Sequence, residues 1–281
     1  MVGCWVVCRL LIGVFSSGVV CGELLPTLLG VLCEVARCDP FLSGRCHGDG
    51  WGLAVVVGSE LVIYRSGRAI WCDSVFSEVV ESLPRFLRYW SSPVYLLAHV
   101  RRRGSRQPAG SLYAHPYVYG CCRGVVALIH NGSVDKGCLV RDLGLDPSVE
   151  SYVTDSEVLG LLLCRCLESR SDVVSAVRDF VAASLKYVKT ALNLGIVIHG
   201  GGTKVFAVHY VNRDTCSREE RVRYYRLYSL RYRGGLVVVS SSFLEKEPRL
   251  RDSAEVRELE EGVYMYSVES GEVSEFYWGI G

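Results

Sequence analysis

The order of the apolar segments restricts the fold more than any other feature of the sequence. Segments with a strand pattern occur mostly in neighbouring groups joined by short turns, and segments with a helical pattern follow one another in pairs, so the strand–helix alternation of a doubly wound parallel sheet is missing. We therefore predict an α+β fold with mainly antiparallel strands. A layered sandwich would bury both faces of each sheet.

Hydrophobic periodicity and turn residues give the positions of the elements. The predicted strands are 8–13, 53–57, 61–65, 94–101, 125–130, 196–199, 205–211, 222–232, 236–240 and 263–268. The predicted helices are 23–38, 75–89, 156–168 and 172–192. The sequence contains no internal repeat, low-complexity tract or long linker, so we predict a single domain over residues 8–281.

The charge balance argues against a dedicated nucleic-acid surface. The chain has 31 basic and 30 acidic side chains, whereas affinity for a phosphate backbone grows with the cations a protein presents. The run 221–233 interleaves tyrosine with arginine and offers an alternative, because such tyrosines can stack bases. We favour an amphipathic strand there, and predict no nucleic-acid partner.

The start of the chain is apolar enough to be mistaken for a signal peptide or a membrane span. However, no cation precedes the apolar stretch, and Arg9, Ser16 and Ser17 interrupt it. No other stretch approaches the roughly 20 uninterrupted apolar residues that a spanning helix needs. We predict a cytoplasmic protein with no membrane partner.

Cysteine and lysine usage is unusual. The 13 cysteines include no pair of CxxC knuckles, so we interpret most of them as small buried hydrophobic residues rather than zinc ligands. Only five of the 31 basic residues are lysine, and glutamine and asparagine are scarce, which hints at a hot-growing source or at a biased genome.

Three short segments have a sufficient structural interpretation when each is taken alone. Asn131-Gly132 between apolar residues suits a two-residue type I′ hairpin turn. Thr154 and Glu157 have the spacing of a helix capping box, with Asp155 well placed near the helix dipole. The glycines of 47–52 suit a tight turn that enters a strand, and they lack a phosphate-binding pattern.

A fourth segment, LLAHVRRRGS, is harder to explain by structure alone. On a strand, His99, Arg101 and Arg103 point the same way, directly after apolar residues. A cation that emerges from a buried strand needs an anionic partner. That partner is either a carboxylate of the protein in a structural ion pair or a substrate carboxylate held by two guanidinium hydrogen bonds. A solvated edge is the structural alternative for the run of three arginines.

Read together in chain order, these segments resemble a class-II glutamine amidotransferase, an N-terminal-nucleophile hydrolase of the small stand-alone type. The resemblance covers residues 8–268. It rests on CRLL (8–11), HGDGWG (47–52), AHVR (98–101), AHPY (114–117), HNG (130–132) and TDSE (154–157), with a weaker similarity at 237–248. The fold that it implies is a four-layer αββα sandwich of two mainly antiparallel sheets.

The resemblance implies a role for each matching residue. Cys8 matches the nucleophile, which attacks the side-chain amide of glutamine to give a γ-glutamyl thioester and ammonia, with its own α-amino group as base. Asn131 and the backbone N–H of Gly132 match the oxyanion hole. Arg101 matches the clamp on the glutamine α-carboxylate, and Asp155 matches the acceptor of its α-ammonium group.

Other implications concern the surroundings of the reaction. Gly50 and Trp51 match the substrate-binding segment, in which the glycines let the backbone approach the substrate and Trp51 packs. His47, His99, His115 and His130 are interpreted as structural hydrogen-bonding groups. The resemblance implies no metal or organic cofactor. The implied partners are glutamine and, if ammonia is transferred, a separate ammonia-accepting synthetase subunit.

The sequence departs from the family pattern at two places. Residues 1–7 precede Cys8, and an amide nitrogen at Cys8 is no base, so we interpret 1–7 as a leader or a mis-assigned start and rank Cys4 below Cys8 as nucleophile. Arginines 102 and 103 follow the clamp arginine, where relatives have small or hydroxylated residues. The alternative function is hydrolysis of a γ-glutamyl amide or peptide by the same site.

Overall fold

The computed structural model of the protein describes residues 8–104 and 107–280. The predictions for residues 1–7 and Cys4 lie outside this part of the chain. The strands of the described part are β1 (Arg9–Phe15), β2 (Trp51–Val57), β3 (Glu60–Ser66), β4 (Val94–Val100), β5 (Tyr117–Cys121), β6 (Gly124–Val134), β7 (Val188–His199), β8 (Thr203–His209), β9 (Leu227–Tyr232), β10 (Gly235–Ser240), β11 (Glu255–Glu258), β12 (Gly262–Glu269) and β13 (Glu272–Gly279). Its α-helices are α1 (Gly18–Arg37), α2 (Ser74–Leu87), α3 (Lys136–Asp142), α4 (Asp155–Ser169), α5 (Val173–Leu185), α6 (Glu219–Tyr225), α7 (Ser242–Lys246) and α8 (Leu250–Ser253).

The strands form two antiparallel sheets. The first sheet has seven strands in the order β11-β9-β10-β1-β4-β2-β3, and the second has six in the order β13-β12-β8-β7-β6-β5. Strand β1 lies between β10 and β4 near the middle of the first sheet, and β6 pairs with β7 in the second. Strand β1, which directly follows Cys8, and strand β6, which carries Asn131, therefore belong to different sheets.

Alternation of side chains along the strands separates the core into layers. In β1, Leu10 and Ile12 pack against the second sheet, where they meet Ala127 and Ile129 of β6. The opposite face of the first sheet packs on α1 and α2, and the outer face of the second packs on α4 and α5. Helix, sheet, sheet and helix thus form four layers, which confirms the predicted α+β sandwich.

Helix α1 begins at Gly18, earlier than predicted, because Ser17 caps it by accepting a hydrogen bond from the backbone N–H of Val20. The buried apolar face of this helix packs on the first sheet. Together with the turn after it, residues Gly18–Leu42 are long and apolar enough to span a membrane by length and composition. The sequence analysis did not single out this stretch. In the structure, 56% of its most apolar window is buried inside the protein.

Two predicted elements are wrong in type over part of their length. The helix predicted for 172–192 ends at Leu185, and β7 begins at Val188. Residues 219–225 form α6, so only the second half of the predicted strand 222–232 is a strand, β9. In both places the apolar residues fit a helical and a strand period over a few residues, and pairing with a neighbouring strand decides the outcome.

The hairpin-turn interpretation of Asn131-Gly132 is also wrong. Strand β6 continues through both residues, with Asn131 opposite Asn193 of β7, and the pairing shifts between Gly132 and Val134. This irregularity is a β-bulge, a feature that re-aims side chains at the end of a strand.

Candidate active site

Cys8 directly precedes β1 and is held through its backbone by two buried side chains. Its backbone N–H donates to Oδ1 of Asn131 at 3.1 Å, and its carbonyl oxygen accepts from the Tyr224 hydroxyl at 2.8 Å. Its Sγ lies 4.0 Å from the carbonyl oxygen of Arg102. The residue is 4% exposed. Cys8 is therefore fixed between the two sheets.

The surroundings of Cys8 keep its thiol protonated at neutral pH. Burial is the main cause and raises its pKa to about 11, with further upward contributions from the Asp155 and Asp49 charges. The Arg102 carbonyl contact and the Arg101 charge act in the opposite direction. A thiol with this pKa needs a nearby base before it can act as a nucleophile.

Asn131 faces Cys8 from the other sheet and is fully buried. Because Oδ1 accepts the Cys8 N–H, the amide orientation is fixed, and Nδ2 is the free donor. Nδ2 is buried without a hydrogen-bond partner among residues 8–104 and 107–280. Such an orphan donor costs stability unless something else accepts from it.

Gly132 follows Asn131 where the strand bulges. A Cβ at this position would collide with the carbonyl group of Ala191 and would lie 2.8 Å from Nε2 of His130. No larger residue fits without a shift of the backbone, so glycine is required for the close approach of β6 and β7 here.

Arg101 emerges directly after β4 and is 3% exposed. Its backbone N–H donates to the Gly50 carbonyl at 2.8 Å, which ties β4 to the glycine-rich segment. Its guanidinium group donates through Nη1 to the Pro108 carbonyl at 3.0 Å. Within the described residues it has no carboxylate within 4.0 Å, so of the two alternatives weighed for this arginine the structural ion pair is not present there.

Asp155 is the first residue of α4 and is 9% exposed. Its Oδ2 accepts from the backbone N–H of Val134 at 3.1 Å, and its Oδ1 accepts from that of Ser156 at 2.9 Å. Thr154 caps the helix through a 3.1 Å hydrogen bond from the backbone N–H of Glu157, as the capping box predicts. Asp155 also lacks a cationic partner in the described part of the chain, and it lies close enough to Cys8 to act on its pKa.

The structure thus brings Asn131, Gly132, Arg101 and Asp155 near Cys8, although the five residues come from four separate segments of the chain. Gly50 is tied to this group by its backbone hydrogen bond with Arg101. The chemistry available there is a thiol, an amide donor and two unpaired charges of opposite sign.

Trp51 is placed differently, because its side chain lies on the helix-facing side of the first sheet. Its Nε1 donates to Asp73 at 3.0 Å, and its ring packs against Tyr64 and Phe76. This packing is the role predicted for the Trp51 side chain, and the part of its segment in substrate binding stays a prediction.

The four histidines named from the sequence are buried. His99 hydrogen-bonds to the backbone carbonyl of His130 at 3.1 Å, and its ring lies 4.1 Å from that of His115. Burial lowers the pKa of His99 to about 3 and holds that of His115 well below the usual value. His47 contacts Asp39 at 2.7 Å. The lowered pKa values of His99 and His115 and the contact of His47 with Asp39 are consistent with structural roles.

The sequence analysis missed a buried network behind the nucleophile. Arg9 is fully buried, and its Nε donates to Asp39 at 2.6 Å. Its Nη1 donates to the Tyr224 carbonyl at 2.7 Å, and its guanidinium lies 3.6 Å from the centre of the Tyr224 ring. Tyr224 in turn holds Cys8. The available signal was the single charge inside the apolar run of β1, but Asp39 and Tyr224 are far from it in sequence.

Comparisons with known proteins add little to this geometry. No family model matches the sequence, and no curated protein matches it. One solved structure, described as a predicted glutamine amidotransferase from Pseudomonas aeruginosa PA01, is 13% identical, with a TM-score of 0.45 and coverage of 96% of this chain and 99% of that chain. A likeness of this size carries no functional argument, so function is argued from the residues.

Proposed function

We propose that the chain is a class-II glutamine amidotransferase or glutaminase with Cys8 as its nucleophile. The observation that carries this proposal is the arrangement of Asn131, whose Oδ1 holds the Cys8 nitrogen while its buried Nδ2 has no hydrogen-bond partner in the described part of the chain. A single side chain thereby orients the attacking residue and leaves a donor for an oxyanion beside it.

The first step needs the α-amino group of Cys8, which exists only when residues 1–7 are absent. Burial keeps the thiol protonated at neutral pH, and the amine on the same residue accepts its proton. The sulfur then attacks the carbonyl carbon of the glutamine amide. The oxyanion accepts hydrogen bonds from Asn131 Nδ2 and the Gly132 backbone N–H.

Collapse of this intermediate breaks the carbon–nitrogen bond. The protonated amine returns its proton to the leaving nitrogen, which departs as ammonia, and a γ-glutamyl thioester remains on Cys8. Water attacks the thioester with the amine again as base. Glutamate is released, and the thiol is restored.

The two unpaired charges fix the amino-acid end of the substrate. Arg101 binds the α-carboxylate, and Asp155 binds the α-ammonium group. Both are buried and held by backbone contacts, so little ordering is required when glutamine binds. A separate ammonia-accepting subunit and a cytoplasmic location stay predictions from the sequence.

Covalent labelling tests the assignment of the nucleophile. Protein that begins at Cys8 is treated with 6-diazo-5-oxo-L-norleucine, a reactive glutamine analogue, and the modified residue is located by peptide mass spectrometry. We expect one label on Cys8, with protection by glutamine. The buried thiols of Cys21 and Cys33 are internal controls. Labelling of another cysteine, or none at all, contradicts the proposal.

A further inference from the structure

A second cleft lies where the outer edges of the two sheets meet. Strand β3 is the edge strand of the first sheet and β5 that of the second, and both contribute walls. The cavity volume is about 330 Å³, which is the size of a small-molecule site. None of the residues assigned to the Cys8 site lines it.

Aromatic rings form most of the apolar wall. Tyr117 and Tyr119 line the cleft, but their hydroxyls are already engaged with Thr154 at 2.7 Å and with the Glu157 carbonyl at 2.8 Å. Tyr117 and Tyr119 can therefore contact a ligand only through the faces and edges of their rings. At the rim, Leu112 and Tyr152 are 70% and 69% exposed. Exposed apolar groups that cluster around a cavity indicate a binding surface.

Two opposite charges face this apolar wall, one from strand β3 and the other from helix α4. Arg65 on β3 forms no hydrogen bond or ion pair within the described residues, and the Glu157 carboxylate accepts only from the backbone N–H of Thr154. Burial raises the pKa of Glu157, while the charge of Arg65 acts to lower it. The two groups therefore interact electrostatically but form no ion pair with each other. Unpaired charges in a half-buried cleft are expensive unless a ligand neutralises them.

We propose that this cleft binds a free α-amino acid with an aromatic side chain. Arg65 takes the carboxylate, Glu157 takes the ammonium group, and the ring packs among the tyrosines. A peptide interior carries neither charge next to its side chain, and an aliphatic amine or an acid carries only one. Charge complementarity therefore selects a zwitterion, and the aromatic wall selects its side chain.

The cleft is separate from the grip formed by Arg101 and Asp155, which also suits an amino acid. The two sites are linked by the hydrogen bond between Tyr117 and Thr154, the residue that caps α4 directly before Asp155. The cleft assignment does not depend on the reaction at Cys8, so its test must show which of the two sites is occupied.

Isothermal titration of the full chain with L-phenylalanine provides this test. We expect one bound ligand, and we expect Arg65→Gln and Glu157→Gln each to weaken binding by about tenfold or more. Gln at position 157 keeps an acceptor for the capping box. Arg68→Gln removes an exposed charge that does not line the cleft, and Arg101→Gln disables the other grip, so both should change the dissociation constant by less than about twofold.

Two modified ligands assign each charge. N-acetyl-L-phenylalanine lacks the ammonium group, so its weaker binding should respond to Arg65→Gln and not to Glu157→Gln. L-phenylalaninamide lacks the carboxylate and should show the reverse. The proposal is overturned if L-phenylalanine fails to bind at about 10 mM. It is equally overturned if Arg101→Gln abolishes binding while Arg65→Gln leaves it intact, because the amino acid then occupies the Cys8 site.

Discussion

At the scale of single residues, Cys8 is held at both ends of its backbone. Asn131 accepts a hydrogen bond from its nitrogen, and Tyr224 donates one to its carbonyl oxygen. These two bonds restrain the Cys8 backbone and with it the direction of the thiol. The Tyr224 ring is in turn fixed beneath the Arg9 guanidinium, which is itself paired with Asp39. Tyr224 is thus a positioning residue for the proposed reaction, although it contacts no substrate.

Replacement of Tyr224 by Phe should lower kcat for glutamine hydrolysis by about tenfold and leave KM nearly unchanged, because one hydrogen bond to Cys8 is lost while the ring stays under Arg9. Tyr225→Phe is the matched control, since the neighbouring buried hydroxyl bonds to Thr190. Steady-state ammonia release measures both. Equal losses in the two variants would show that Tyr224 acts only through general packing.

At the scale of elements, the close contact between α1 and α2 depends on glycine. A Cβ at Gly22 would lie 2.9 Å from the Pro84 carbonyl oxygen, whereas a Cβ at Gly30 in the same helix meets nothing within 4 Å. The Pro84 backbone cannot move aside as easily as a flexible side chain can. Alanine at position 22 and alanine at position 30 should therefore change the stability of the protein in opposite directions.

We expect Gly30→Ala to stabilise the protein by up to about 1 kcal/mol, which is the helix-propensity gain. Gly22→Ala should destabilise it by about 1–3 kcal/mol, because overpacking against α2 exceeds that gain. Urea unfolding of both variants beside the wild type measures the difference. Stabilisation by both changes would mean that α2 moves freely and that the contact is not tight.

Much of the element order could be predicted because strands and helices of the core carry clear periods. The hairpin of β2 and β3 and helices α1, α2 and α4 have this property. The start of β7 and the whole of α6 could not be predicted, since apolar residues there fit both periods and distant strands decide the pairing. In the site, the capping box marked Asp155, but no local pattern shows that Asn131 and Tyr224 converge on Cys8.

At the scale of the whole molecule, burial of neutral histidines couples stability to pH. His99 and His209 have pKa values lowered to about 3 and about 4 by burial, and His115 shifts in the same direction. Below pH 6.5 the unfolded chain protonates these rings while the folded protein does not. The unfolded state then binds more protons, so stability must fall as pH decreases.

The free energy of unfolding should therefore decrease between pH 7 and pH 5, with His99 alone contributing about 2 kcal/mol. Carboxylates with lowered pKa values, such as Asp39, reduce the free energy of unfolding only below about pH 4. The decrease between pH 7 and pH 5 therefore reports on the histidines. Urea titrations at pH 7, 6 and 5 measure the slope. A flat profile would mean that the rings are protonated or accessible in the folded protein.

The central claim, that the α-amine of Cys8 is the base for its own thiol, is tested most directly by ammonia release from glutamine. Three forms of the protein are compared: one that begins at Cys8, one that retains residues 1–7, and one that begins at Cys8 with its amine acetylated. We predict release by the first form alone. Equal release by a form whose Cys8 nitrogen is an amide would contradict the account.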